Sequence, residues 1–187
     1  MPTLGYRNNN PGNLKRDTNS TPYKGEIVPP KEPPFRWFES MEHGYRAMYH
    51  LLIIRYLMDW RLNTLEKILY KYAPPFENDT EAYINYVSDR LGIARNALIS
   101  INNETLLFEL GLAISRYENG IEPTRSQALA GFNMLKNDIL LDFEGIMNEA
   151  NPKDSRNALI IIGSSILLLS VFLLGKKSKN TKEKQPW

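Results

Sequence analysis

One segment dominates the architecture of this chain of 187 residues: Asn102-Asn-Glu-Thr-Leu-Leu-Phe-Glu-Leu-Gly-Leu-Ala-Ile-Ser-Arg-Tyr-Glu-Asn-Gly120. Its apolar side chains recur three and four residues apart, which is the spacing of one helix face. The members of this stripe are Leu106, Leu107, Leu110, Ile114 and Tyr117. Asn102 can cap the start of the helix and Gly120 can end it. The pattern predicts an amphipathic helix with one carboxylate, Glu118, at its end.

Glu118 is the first candidate for chemistry. A carboxylate at the end of a helix meets the negative pole of the helix dipole, which disfavours its charged form. Apolar walls around it would raise its pKa further. A general acid needs such a shift, because it must keep its proton at neutral pH until a leaving group takes it. A solvated glutamate at a frayed helix end is the alternative, and local sequence by itself favours that alternative.

The rest of the first 138 residues predicts a mainly α domain with a small irregular or β part at the N-terminus. Proline and glycine crowd the first forty residues, which indicates loops with a short hairpin near Gly25–Val28. Helical spacing and capping residues dominate the chain after position 40. Helices are predicted from Ser40 onward, over Thr64–Tyr72 with a capping box at Asn63, from Asn78 to Gly92, and from Pro123 or Thr124 to Leu135.

Composition excludes several classes of site. The chain has no cysteine, so disulfides, thiolate metal sites and cysteine nucleophiles are excluded. Its two histidines, His43 and His50, argue against a histidine-rich metal site and against a Ser-His-Asp triad, and we interpret both as surface or packing residues. We therefore expect no metal and no organic cofactor. Catalysis would fall to carboxylates, tyrosines, serines or the backbone.

The C-terminal region differs sharply in composition. Ala158–Gly175 carries no charge and, at about 1.5 Å per residue, would cover roughly 27 Å as a helix, about the thickness of a bilayer core. We expect a helical stalk and hinge over 139–156, a single transmembrane helix over 157–175 and a lysine-rich tail over 176–187. The bilayer is thus an expected partner, and the tail is expected to contact lipid headgroups or packaged DNA.

Three further polar segments have two interpretations each. Glu39 precedes a helix, where negative charge is stabilised, so it suits a base or a structural role better than an acid. Asn78, Asp79 and Thr80 are all preferred at helix N-caps, yet their side chains also suit a cation or a sugar. The run Asn8–Asn13 supplies turns, and its amides equally suit the N-acetyl and hydroxyl groups of a polysaccharide.

Four motifs in the same order resemble a family of phage and prophage proteins. They are Arg7-Asn-Asn-Asn-Pro-Gly-Asn-Leu-Lys15, Phe35-Arg-Trp-Phe-Glu-Ser40 with Gly44-Tyr-Arg-Ala47, Ala73-Pro-Pro-Phe-Glu-Asn-Asp-Thr80 with Tyr83, and Tyr117-Glu-Asn-Gly120. That family is similar to the lysozyme-like superfamily and is treated as peptidoglycan-cleaving and often virion-associated. Many lysozyme-like enzymes place the catalytic glutamate before the asparagine-rich element. Here Glu-Asn-Gly comes after the other motifs, as if the chain were circularly permuted.

The resemblance implies a lysozyme-like α+β fold and cleavage of the β-1,4 bond between N-acetylmuramic acid and N-acetylglucosamine. It makes Glu118 the catalytic acid. The substrate-binding residues it implies are Asn10, Asn13, Glu39, Tyr45, Asn78, Thr80 and Tyr83. A lytic transglycosylase is the first expectation because one carboxylate suffices for it. A muramidase is the second, with Glu39 or Asp79 as the second carboxylate. The segment Glu122-Pro-Thr124 departs from the Gln-Pro-Tyr usual in the family, which puts the subsite contacts there in doubt.

The expected setting is a phage membrane. A C-terminal span would hold the domain at the virion membrane or the host inner membrane, with glycan strands of peptidoglycan as the substrate. Capsid or vertex proteins are further expected partners. The alternative function is a non-catalytic, membrane-anchored capsid or vertex protein that keeps a lysozyme-like scaffold, since a fold does not guarantee an activity.

Overall fold

The computed structural model describes residues 2–17 and 19–149, with side chains up to residue 142. Contacts divide the chain into a unit Met1–Asp138 and a unit Ile139–Trp187. The helices are α1 (Leu4–Arg7), α2 (Met41–His50), a π-helix (Leu51–Asp59), α3 (Leu65–Tyr72), α4 (Thr80–Leu91), α5 (Glu104–Asn119) and α6 (Arg125–Glu149). Two short strands, β1 (Glu26–Ile27) and β2 (Trp37–Phe38), form an antiparallel pair.

The expected fold class is corrected by this architecture. The part of the chain that the structure describes is mainly helical with one two-stranded sheet, and the expected membrane-spanning helix is not part of it. Of the helices within residues 2–17 and 19–149, none combines the length and apolar character that a bilayer crossing requires. The segments 157–175 and 176–187, on which the expected span and lysine tail fall, lie outside the described residues.

Helix boundaries follow the capping chemistry, with small corrections. Ser40 caps α2 as predicted, since its hydroxyl accepts a hydrogen bond from the His43 amide. Two predicted caps are wrong by one residue, since Thr64 and Asn103 cap α3 and α5 instead of Asn63 and Asn102. Of the three cap candidates Asn78, Asp79 and Thr80, it is Asp79 that caps α4. In each of these helices the capping side-chain oxygen accepts a hydrogen bond from the backbone amide three residues later in the chain.

The C-terminal ends of two helices are confirmed, and the end of a third is wrong. Gly92 and Gly120 come directly after α4 and α5 with φ of 64° and 67°, a left-handed conformation that favours glycine. Helix α6, in contrast, does not end near Leu135 but continues to Glu149. No proline interrupts it, because the next one along the chain is Pro152. Residues 139–149 of the expected stalk are therefore helical, and the rest of it lies outside the described residues.

Helix α5 is more deeply buried than an amphipathic stripe would make it. It contacts α4, α1 and α2, so Leu112 and Ala113 are buried together with the predicted Leu107, Leu110 and Ile114. Gly111 sits against the ring of Tyr49 so closely that a Cβ would overlap the ring atoms. A central helix has no solvent face in its middle, and only its ends reach the surface. Glu118 lies at one of those ends.

The N-terminal loop is held against the sheet by a buried amide. The Asn10 side chain donates to the carbonyls of Leu14 and Arg36, both at 3.0 Å, and accepts from the Leu14 amide at 2.9 Å. Strand β1 lies within the segment Gly25–Val28 where a short hairpin is expected, and its Glu26 and Ile27 pair with Phe38 and Trp37. The amides of Arg36 and Phe38 donate to the carbonyls of Leu14 and Asn8, which holds the N-terminal loop against β2.

Candidate active site

Two neutral donors hold the Glu118 carboxylate. Asn13 Nδ2 donates to Glu118 Oε2 at 3.0 Å and also approaches the Glu118 carbonyl at 3.3 Å. Tyr83 Oη donates to Glu118 Oε1 at 3.0 Å. The N-terminal loop, α4 and the last turn of α5 therefore meet at one half-buried carboxyl group.

Burial raises the pKa of the Glu118 carboxyl above its ordinary value. The hydrogen bonds from Asn13 and Tyr83 and the charge of Lys15 lower its pKa, but they do not offset the loss of solvation. An amide and a phenol stabilise a carboxylate by dipoles only, so no full positive charge is bonded to it. The group therefore has the electrostatic setting that a general acid needs.

Asn13 is placed by a clamped loop. Its φ of 47° lies in the left-handed region, which asparagine tolerates better than most residues. Next to it, the Gly12 carbonyl accepts a hydrogen bond of 2.5 Å from Tyr72 Oη, and a Cβ on Gly12 would overlap that hydroxyl. The close approach of α3 to this loop requires glycine at position 12, and it fixes where the Asn13 amide lies.

Three tyrosines line the site beside the carboxyl group. The rings of Tyr83 and Tyr117 are stacked with centroids 3.8 Å apart, and Tyr72 meets Tyr83 edge-on at 6.5 Å. Burial and the nearby Glu118 charge hold the pKa of Tyr72 and of Tyr83 well above the ordinary value, so both remain neutral donors. Tyr117 keeps 37% of its surface exposed. Tyr86 also packs against this ring, with centroids 5.2 Å apart, so Tyr117 is only partly open to solvent next to the acid.

Two charged residues, Lys15 and Asp79, lie near Glu118 or its neighbour Tyr117. Lys15 forms an ion pair with Glu77, and its charge lowers the pKa of Glu118. Burial raises the pKa of the Tyr117 phenol most, and the negative charge of nearby Asp79 raises it further. Asp79 Oδ1 accepts from the Ala82 amide at 3.0 Å, so the first role of this side chain is to cap α4. Asp79, one of the two expected second carboxylates, thus lies near Tyr117, the residue that precedes Glu118.

Three predicted substrate-binding residues lie in the core instead. Asn10 is fully buried and bonded to backbone groups. Tyr45 is also fully buried, shares a hydrogen bond of 3.0 Å with Ser115, and has a pKa raised by burial to about 12. Thr80 is 3% exposed and donates to the Ala73 carbonyl. Their polar groups are occupied inside the domain, and their contact with substrate stays a prediction.

The two remaining predicted residues are exposed. Glu39 is paired with His43, with 4.0 Å between its Oε2 and the ring Nδ1, and its backbone amide donates to Gly25 at the sheet. None of its contacts within the described residues reaches Glu118. Asn78 is exposed in the turn before α4 and donates to the Pro74 carbonyl at 3.5 Å. Of the predicted set, Asn13 and Tyr83 are the residues that contact Glu118.

Sequence reasoning missed Tyr72. It ends α3, far along the chain from both Gly12 and Glu118, and its helical position suggests only core packing. No local signal indicates that its hydroxyl reaches Gly12. The surroundings also give no metal site: in residues 2–17 and 19–149 no group of three or more histidine and carboxylate side chains lies close enough to hold an ion.

Comparison with known proteins identifies a relative in a bacteriophage. No protein-family profile matches the chain. Protein P5 of Pseudoalteromonas phage PM2 is 37% identical over 130 residues, which covers 68% of this chain and 79% of the relative. The chain belongs to the Protein P5 family. Membership in this family places the chain among bacteriophage proteins, as the motifs suggested, and the name of the relative states no activity.

Proposed function

We propose that this member of the Protein P5 family cleaves peptidoglycan glycan strands, with Glu118 as the general acid. The observation that carries the proposal is the shielded carboxyl group of Glu118, held by Asn13 and Tyr83 and with a raised pKa. A carboxyl group in such surroundings keeps its proton at a higher pH than a solvated one. It can then give that proton to a glycosidic oxygen as the bond breaks.

The reaction balances with a single carboxyl group. Glu118 protonates the leaving oxygen as its bond to the anomeric carbon breaks, and it becomes a carboxylate. The same carboxylate then takes a proton from the substrate's own 6-hydroxyl, whose oxygen attacks the anomeric carbon and gives a 1,6-anhydro product. Glu39 is turned to His43, which supports this transglycosylase route over a route that needs Glu39. Asp79 remains the residue that a muramidase would use.

The aromatic and amide groups around Glu118 suit a sugar. Tyr117 presents a partly exposed ring beside the acid, and apolar faces of sugar rings stack on such surfaces. Phe76 is 83% exposed in the turn that also carries Glu77, the ion-pair partner of Lys15. We include Phe76 in the proposal as a second ring for a sugar face to contact.

A second candidate function is a non-catalytic virion protein built on the same scaffold. Two observations favour it. The family relation is to a phage protein whose name states no activity, so the comparison speaks more directly for a phage component than for an enzyme. In addition, both oxygens of Glu118 are bonded within the domain, so this carboxyl group also ties α5 to α4 and to the N-terminal loop.

Peptidoglycan digestion with matched variants separates the two candidates. The wild-type chain, Glu118→Gln and Glu109→Gln are compared on purified sacculi; Glu109 lies on the same helix and pairs with Arg125. We expect wild type and Glu109→Gln to release muropeptides, and Glu118→Gln to lose about 10²–10⁴-fold in rate. Mass spectrometry of the products then reports an anhydro end or a reducing end. Equal release by Glu118→Gln, or none by wild type, would contradict the enzymatic proposal.

A further inference from the structure

A second concave site opens beside the sheet region. It is a cavity of about 490 Å³ between the loop that precedes β1, the Arg36 side chain next to β2, helix α2 and the π-helix. We call it the cationic pocket. Its charged and aromatic lining residues are Tyr23, Lys24, Arg36, Arg46, His50 and Arg55. The proposed cleavage chemistry uses none of them.

The cationic pocket carries more positive than negative charge. Glu26 is shared by two guanidinium groups, those of Arg16 and Arg36. Asp138 is likewise shared, by Lys24 at 2.7 Å and Arg46 at 2.6 Å. Arg55 has a carboxylate of its own in Asp59, at 2.6 Å. Arg16 does not line the cavity, so its four lining cations, Lys24, Arg36, Arg46 and Arg55, have three carboxylate partners and leave a surplus of about one positive charge among the described residues.

Donor atoms remain available on these cations. Arg46 uses Nε for Asp138, and its two terminal nitrogens have no hydrogen-bond partner within residues 2–17 and 19–149. Arg55 uses one terminal nitrogen for Asp59 and leaves Nε and the other nitrogen unbonded in the same residues. Arg46 is only 9% exposed as a residue, yet its unbonded terminal nitrogens are not among the buried side-chain atoms without a partner, so they are open to solvent and can donate to a ligand.

The pKa of His50 agrees with this surplus of positive charge. Burial, followed by the charges of Arg46 and Arg55, lowers the pKa of this imidazole. Asp59 and Asp138 act in the opposite direction but do not restore the ordinary pKa. The buried Nδ1 atom of His50 has no hydrogen-bond partner in the described part of the chain, and the ring lies edge-on to Tyr23 at 5.4 Å. A neutral imidazole beside unbonded guanidinium donors is a setting that suits an anion.

We propose that the cationic pocket binds a phosphate ester or diphosphate. The lining is net positive, and Arg46 and Arg55 both keep unbonded guanidinium donors for an anionic group. Planar guanidinium groups are also the donors that bind phosphate oxygens in pairs. The volume of about 490 Å³ greatly exceeds one phosphate group and falls in the range of small-molecule sites, so an organic part is accommodated with it. This proposal stands whether or not the chain cleaves glycans.

The two histidines allow the test to be localised by NMR. The full chain has only His43 and His50, so its imidazole spectrum holds two sets of signals, and Gln substitution of His50 assigns them. Inorganic pyrophosphate is titrated at constant ionic strength, with citrate as the carboxylate arm. We expect pyrophosphate to shift the His50 signals saturably and to raise the pKa of His50, while His43 stays unchanged.

Variants then assign the binding to the cationic pocket. Arg55→Gln and Lys24→Gln, which alter exposed members of the pocket, are each expected to weaken pyrophosphate binding by about tenfold. Arg125→Gln is the matched control, because its ion pair with Glu109 lies on α6 and α5. Equal weakening by the control, equal binding of citrate, or unsaturable shifts of both histidines would each overturn the proposal.

Discussion

Glu26 and Glu118 are two shielded carboxylates with opposite partners. The side chain of Glu26 has no exposed surface and is bonded by the guanidinium groups of Arg16 and Arg36. Its Oε2 also accepts from the Tyr23 amide at 2.9 Å. Glu118 is bonded by an amide and a phenol, both neutral. The difference teaches that burial alone does not assign a role to a carboxyl group; the charge of its donors does.

The different hydrogen-bond donors indicate a structural role for Glu26 and a chemical role for Glu118. A carboxylate bonded to two guanidinium groups joins the two segments that carry them and so has a structural role. A carboxyl group whose burial is offset only by dipoles has a raised pKa and can act as an acid. The first holds the N-terminal loop to the sheet, and the second sits where solvent reaches the end of α5.

The largest expected effect comes from removing the charge of Glu26. Glu26→Gln leaves Arg16 and Arg36 without their carboxylate, although Arg36 is almost completely buried. We expect the free energy of unfolding to fall by about 3–5 kcal/mol, because breaking a buried pair strands the opposite charges. Denaturant unfolding measures it, with Glu109→Gln as an exposed-pair control expected to lose less than about 1 kcal/mol. Similar losses of unfolding free energy in Glu26→Gln and Glu109→Gln would contradict the structural role of Glu26.

Glu118→Gln is expected to behave in the opposite way. A folded-state pKa that is raised means that protonation of Glu118 favours the fold, so the contribution of this group to stability is greatest at acidic pH and is lost as pH rises through the raised pKa. At pH 7 the variant should therefore be within about 1 kcal/mol of wild type or more stable, since it removes a desolvated charge.

Denaturant midpoints at pH 7 and pH 5 check the sign of this effect. We expect the free energy of unfolding of wild type to rise relative to that of the Glu118→Gln variant as the pH falls from 7 to 5. A wild-type advantage that instead grows with rising pH would mean that the carboxylate form is the one the fold stabilises, and the contrast with Glu26 would fail.

The smallest expected effect concerns the donor rather than the acid. Asn13→Asp replaces an amide donor with a second carboxylate and should raise the pKa of Glu118 further, by repulsion between like charges. Asn13→Gly removes the amide but tolerates the φ of 47°, so it should raise the pKa by less. The measurement is the pH dependence of peptidoglycan cleavage. In both variants the loss of activity at alkaline pH should move to higher pH, and it should move further in Asn13→Asp. An unchanged pH dependence in Asn13→Asp would remove Asn13 from the site.

The helical part of this molecule could be predicted because its information is local. Capping side chains and the glycines after α4 and α5 act within four residues, so their positions can be read from the sequence to within one residue. The length of α6 was missed because nothing in its sequence stops it before Pro152. Burial all round the middle of α5 is set by three neighbouring helices, which no periodicity reveals.

The residues of the candidate site could be predicted only in part, because contacts between distant segments are not visible in the sequence. Motif resemblance selects residues that a family keeps in order, and it does not separate those that support the loop from those that face a ligand. Asn10, Tyr45 and Thr80 support the core, whereas Asn13 and Tyr83 contact Glu118. Tyr72 and the cationic pocket join segments far apart in the chain. Their assembly depends on packing, which the sequence alone does not specify.

The most direct test is a carboxyl titration of Glu118. Selective ¹³C labelling of glutamate side chains, with the Glu118→Gln spectrum to assign the signal, gives the pKa of this group in the folded chain. A pKa above the ordinary glutamate value is the predicted result, because burial outweighs the two neutral donors and the Lys15 charge. A pKa at or below the ordinary value would contradict the assignment of Glu118 as a proton donor.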